Sequence, residues 1–144
     1  MRTKAIHAAR ILLGLIFFVF GLNGFLHFIR QPPMSGPPAD LAGAMIASGY
    51  LFSFIKGTEV VAGMLLLSGR FVPLALTVLA PVILNILAFH TFLAPSGLPL
   101  PIVILALELF LARSYWSSFA SVVRARALPD GADDVTHAPR AATT

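Results

Sequence analysis

Four stretches of the chain, residues 11–29, 49–68, 71–93 and 101–119, are almost wholly apolar, and the gaps between them are rich in proline, glycine or charge. Each stretch approaches the roughly 20 residues that a helix needs to cross a bilayer's hydrocarbon. A helix at a water-facing surface would alternate apolar and polar sides every turn. Here polar residues enter the runs singly, as expected when both sides of a helix meet apolar surroundings. The pattern predicts an all-α fold, an integral membrane four-helix bundle. It is flanked by a short N-terminal segment, residues 1–10, and by a polar tail, residues 120–144, expected to be largely disordered.

Details along the runs sharpen this picture. Gly14, Gly21 and Gly24 recur at or near a heptad spacing, which favours close approach of two helices. In RQPPMSGPPAD two Pro-Pro pairs and a glycine break helix, and residues 39–48 then read as a short interfacial helix with Asp40 as its cap. Tyr50, Phe52 and Phe54 resemble an aromatic belt, as do Tyr115 and Trp116 at the far end. Phe52, Lys56, Glu59 and Gly63 fall on one helical face. Gly69 and Arg70 mark a tight turn, and Pro81 should kink its helix or free a carbonyl near Asn85.

Composition agrees with lipid as the main solvent. Apolar residues make up 58% of the chain and charged residues 11%, against about 25% in a soluble domain, and the mean hydropathy is +0.89. The net charge of +4 does not indicate nucleic acid, because the basic residues flank the apolar runs instead of forming a stripe. Arg2, Lys4, Arg10, Arg70, Arg113, Arg124 and Arg126 would lie on one side of the membrane and only Arg30 on the other. The positive-inside rule then puts both termini in the cytoplasm, and a bacterial inner membrane is the expected location. The basic N-terminus imitates a signal peptide, but the first run is longer than an h-region and lacks a small-x-small cleavage site, so a retained helix is expected. The chain has no cysteine, which excludes disulfide relay, Fe–S clusters and Cys-ligated zinc within it.

The chemistry rests on the polar residues inside the runs. An ionised group at membrane depth costs about 2.5–3.5 kcal/mol on insertion scales unless it is paired. Lys56 and Glu59, one turn apart, are therefore expected to pair, either to set helix register or to work as a catalytic pair. Glu108 has no charged neighbour on its own helix and is a candidate proton donor or acceptor, or a carboxyl bonded to a neighbouring amide. Asn23, His27, Asn85 and His90 are candidate ligand-binding groups; the alternative role of the asparagines is to hold helices together. Their expected depths trace a descent from the outer face to half-depth, a dead-end pocket open to the extracytoplasmic side. His27 and His90 fall near helix ends, in the headgroup zone, which disfavours axial haem ligation, and no metal site is expected.

The residues Lys56-x-x-Glu59, Gly63, Leu66-Leu67-x-Gly69-Arg70-x-x-Pro73-Leu74, Ala80-Pro81, Asn85 and His90, with Arg10-Ile-Leu-Leu-Gly14 and Gly21, resemble the DoxX/DoxX-like family of small four-helix membrane proteins. The resemblance covers about Arg10 to Tyr115. That family is named for the small subunit of an archaeal terminal quinol oxidase, also described as a thiosulfate:quinone oxidoreductase. Other members associate with redox-defence enzymes or act as membrane chaperones. The resemblance implies a quinone-linked redox subunit.

Three functional classes follow. The first is a quinone- or small-molecule-binding subunit of a membrane redox system, with Glu59, Lys56 and Glu108 as catalytic groups and quinone as the cofactor class. The second is a non-enzymatic interaction or assembly protein, and the third a proton-coupled carrier. The expected partners are membrane lipids and either a redox enzyme or a second copy of the chain; nucleic acid is not among them.

Overall fold

The computed structural model describes residues 1–30 and 33–120. It is all-helical, with no strand among the described residues. In chain order the helices are α1 (Arg2–Leu26), α2 (Pro37–Ala47), α3 (Leu51–Ser68), α4 (Val72–Phe92), α5 (Pro99–Ser114) and the single turn α6 (Trp116–Phe119), with a 3₁₀ turn, Pro95–Gly97, before α5. Helices α1, α3 and α4 are long and apolar enough to cross a membrane. At 16 residues, α5 is shorter.

Several boundaries differ from those expected. The first helix begins at Arg2, because the segment ahead of residue 11 carries no helix breaker and extends the same rod. It stops at Leu26, three residues early, where His27 turns into the left-handed region at φ 52° and its N–H donates to the Asn23 carbonyl. The interfacial helix is capped by Gly36 and not by Asp40. Pro37 supplies a first residue whose φ is already helical and whose missing N–H would have had no partner there, while Asp40 sits in the first turn. The fourth run, expected to continue to residue 119, breaks at Tyr115 into α5 and α6. The tail expected to be disordered lies outside the described residues.

Four helices close a ring in which α1 packs on α3, α3 on α4, α4 on α5 and α5 back on α1. The α1–α3 pairing is the most extensive, and its sequence cause is glycine. A Cβ at Gly63 would lie 2.6 Å from the Phe18 backbone nitrogen, and one at Gly21 would lie 2.9 Å from the Val60 nitrogen. Backbones therefore touch where a larger residue would hold them apart, as the heptad spacing implies. The pairs Gly24–Lys56, Gly21–Glu59, Gly14–Leu66 and Arg10–Gly69 fix an antiparallel register.

The core has two different ends. Leu13, Phe17, Leu66, Leu76, Leu79 and Leu111 are almost fully buried and fill the end that holds the N-terminal half of α1. Toward the other end the core-facing stripes carry Asn23 on α1, Glu59 on α3 and Glu108 on α5, all buried. The corresponding stripe of α4 is apolar, ending in Ile83.

Candidate functional site

The helix registers bring Lys56 and Glu59 to the α1–α3 seam. Gly24 and Gly21 leave the room they occupy: a Cβ at Gly24 would collide with the Lys56 methylenes, and one at Gly21 would press on the Glu59 Cβ. Lys56 Nζ donates to Glu59 Oε2 at 2.8 Å, across one turn of α3. The two ends of this pair differ in exposure, with the lysine side chain 22% exposed and the glutamate 3%. The ammonium is therefore reachable from outside the bundle while the carboxylate is held inside. It lies 6.0 Å from the centroid of the Phe52 ring, at the limit of a cation–π contact.

Glu108 projects from the core-facing stripe of α5, shared with Pro101, Ile104 and Leu111. Its Oε2 is buried and has no hydrogen-bond partner among the described residues. A buried carboxyl oxygen without a partner forfeits about 1–3 kcal/mol, so it stands out against an otherwise satisfied interior.

The remaining expected site residues divide. Asn23 is buried but occupied: its Oδ1 accepts the Ile29 N–H at 2.6 Å, and its Nδ2 donates to the Ile29 carbonyl at 3.3 Å. It closes the chain's exit from α1 with both halves of its amide. His27, expected at the pocket mouth, is exposed at the helix end. Asn85, expected to face the same interior, is exposed on the opposite side of α4, where it lines a cavity of about 270 Å³ with Leu41, Ala88, Phe89, Phe92 and Leu93. Position 85 falls on that side because Leu76, Leu79 and Ile83 define the inward stripe of α4. His90 is half-buried, and its Nδ1 donates to the Ile86 carbonyl at 2.8 Å. Gly97 lies against that ring edge, where a side chain would not fit.

The residues expected to line a dead-end pocket thus divide. Glu59 and Glu108 are core-facing and Lys56 bridges core and surface, while His27 and Asn85 do not join them. A larger cavity, about 580 Å³, runs along the outside of α3 and α4 and is apolar. Neither cavity is lined by Lys56, Glu59 or Glu108. Among the described residues no three His, Asp or Glu side chains converge to hold a metal ion.

One group with a structural role was not anticipated. The Arg10 guanidinium donates to the carbonyls of Leu66 and Leu67 in the last turn of α3, the first of which also accepts the Gly69 N–H. The signal was present in outline, an arginine one turn ahead of Gly14 on the glycine face of α1, but its charge was assigned only to membrane orientation. Comparison with protein-family models, with curated proteins and with solved structures returns no match.

Proposed function

We propose that the chain is a DoxX-like integral membrane protein, spanning a bacterial inner membrane four times with both termini in the cytoplasm. In this proposal it binds a quinone or a comparable small hydrogen-bonding molecule as a subunit of a membrane redox system. The observation that carries the proposal is the unpartnered Glu108 carboxyl in the polar half of the core. A group that costs stability and bonds to nothing among the described residues is suited to a ligand or a proton. In this scheme Glu108 exchanges a proton with the ligand, Lys56 donates a hydrogen bond to a ligand carbonyl, and Glu59 holds the lysine and relays charge. His90 offers a ring nitrogen nearer the helix end. The leucine-filled opposite half gives protons no path through, which favours a dead-end site over a carrier.

Protein extracted in mild detergent is expected to carry quinone, detectable in an organic extract by its absorption, and Glu108→Gln is expected to lower the bound amount at least tenfold while the fold persists. Wild-type protein free of quinone, together with quinone-dependent membrane activity that Glu59→Gln leaves unchanged, would overturn the redox assignment.

The second reading, a non-enzymatic assembly protein, is favoured by the full occupation of Asn23 and by the glycine seating of the Lys56–Glu59 pair. It predicts suppressors of Glu59→Gln that restore function without restoring charge.

A further inference from the structure

The side of α4 turned away from the core is exposed at Leu74, Val78, Leu84, Asn85, Ala88 and Phe92, which share one helical face. Asn85 lies seven residues before the end of α4 at Phe92, a rise of about 10 Å. If α4 crosses the membrane, its amide is within the hydrocarbon. The other polar groups on this side are neutralised locally, because Thr77 and Thr91 donate to the Pro73 and Leu87 carbonyls of their own helix. No such bond joins Asn85 to any described residue, and an amide alone in hydrocarbon costs several kcal/mol on the order of a lost hydrogen bond or more.

Both cavities border this side of α4. Leu74 and Val78 form one wall of the larger groove, and Asn85, Ala88 and Phe92 line the smaller hollow. The surface is therefore indented along the length of the helix, and Phe92, 80% exposed, stands at the rim of the hollow.

We infer that this face is where a second copy of the chain docks, with the two Asn85 amides hydrogen-bonded across a two-fold axis along the membrane normal. Copies inserted in the same orientation can be related by a two-fold axis only in that direction. Such an axis brings together residues of equal depth, so Asn85 meets Asn85. The side-chain amide holds both donors and an acceptor, which makes it complementary to itself and lets two copies satisfy each other reciprocally. Asparagine paired across spanning helices is a known source of association. The Phe92 ring of each copy lies at the depth of the hollow in the other and can fill it. The inference rests on α4 crossing the membrane and is independent of the ligand proposed for Glu108.

The absence of cysteine from the chain allows a direct test in lipid vesicles holding the full chain. Single substitutions Leu84→Cys and Ala88→Cys, flanking Asn85, are expected to form disulfide-linked dimers on mild oxidation. Val103→Cys, at an exposed position on α5, is not. Adding Asn85→Leu to Ala88→Cys should weaken dimerisation roughly tenfold, whereas Asn85→Gln should retain most of it. Glu108→Gln, which tests the ligand, should leave cross-linking unchanged. Equal cross-linking at Val103→Cys, or dimers indifferent to Asn85→Leu, would overturn the inference. So would a monomeric wild type from which Asn85→Leu removes a co-extracted lipid amphiphile, since that molecule would then be the occupant. No bond joins Asn85 to any described residue, so at detergent dilutions where the wild type is monomeric Asn85→Leu should unfold at the wild-type temperature. A lower temperature would assign the amide to the fold and end the proposal.

Discussion

Breaking the Lys56–Glu59 pair and removing the Glu108 carboxyl should have opposite effects on stability. Lys56→Met leaves Glu59 buried at 2% exposure without its donor, and stranding one partner of a buried pair costs about 3–5 kcal/mol. Glu108→Leu removes an oxygen that has no partner, so it is expected to leave the detergent-solubilised protein as stable as wild type or to raise its stability by about 1–3 kcal/mol. Thermal unfolding of the two variants checks this, and Glu108→Leu destabilising as much as Lys56→Met would show that the carboxyl serves the fold. The pairing of Lys56 with Glu59 was legible from their one-turn spacing on an apolar helix. The occupation of Asn23 was not, because its partner is the backbone of Ile29 beyond a left-handed turn, and such a turn is set by the path of the chain. Asn85 was misplaced for a different reason. Helix α4 is apolar all round, and in lipid the outer face is as greasy as the inner, so periodicity gave no sign of which side the amide took.

At the scale of elements, glycines of one type do two different jobs. Gly63 lies where a Cβ would meet the Phe18 backbone at 2.6 Å, while a Cβ on Gly57, on the same helix, would have nothing within 4 Å. Gly63→Ala must push α1 and α3 apart at their closest point, and is expected to destabilise by about 1–3 kcal/mol. Gly57→Ala should instead stabilise by roughly 0.5–1 kcal/mol, because a mid-helix glycine costs that much relative to alanine and no contact inside the chain requires it. Unfolding of the two variants in one detergent makes the comparison, and a loss of stability at Gly57→Ala would mean that this face is packed. The α1–α3 seam is the part of the fold best written in the sequence, since Gly14, Gly21 and Gly63 each mark a backbone contact by spacing alone. The start of α1 at Arg2 and the break at Tyr115 were not, because no change in hydrophobicity marks either position.

For the whole molecule, α5 decides how many times the chain crosses the membrane. Its 16 residues rise about 24 Å, short of the roughly 30 Å hydrocarbon core. Shorter spans are accommodated by local thinning of the bilayer and by flanking anchors. Tyr115 and Trp116 at one end are suitable anchors, and α6 begins there. Packing also favours insertion. Ile104 and Leu111 of α5 belong to the same core as Leu79 of α4 and Leu13 of α1, and α5 contacts both of those helices. A helix left outside the bilayer would have to abandon that core and expose it to lipid on one side only. Because crossings alternate direction, four of them return the C-terminus to the side of the N-terminus, whereas three would separate them. The basic residues Arg2, Lys4, Arg10, Arg70 and Arg113 lie at the leucine-filled end of the bundle, the end that the positive-inside rule would place in the cytoplasm. Reporter fusions active only in the cytoplasm are therefore expected to work at both ends of the chain, and a reporter active only outside should work when inserted near Ser35. A C-terminal reporter that works only outside would leave three crossings, and Glu108 would then sit at the membrane surface instead of in the core.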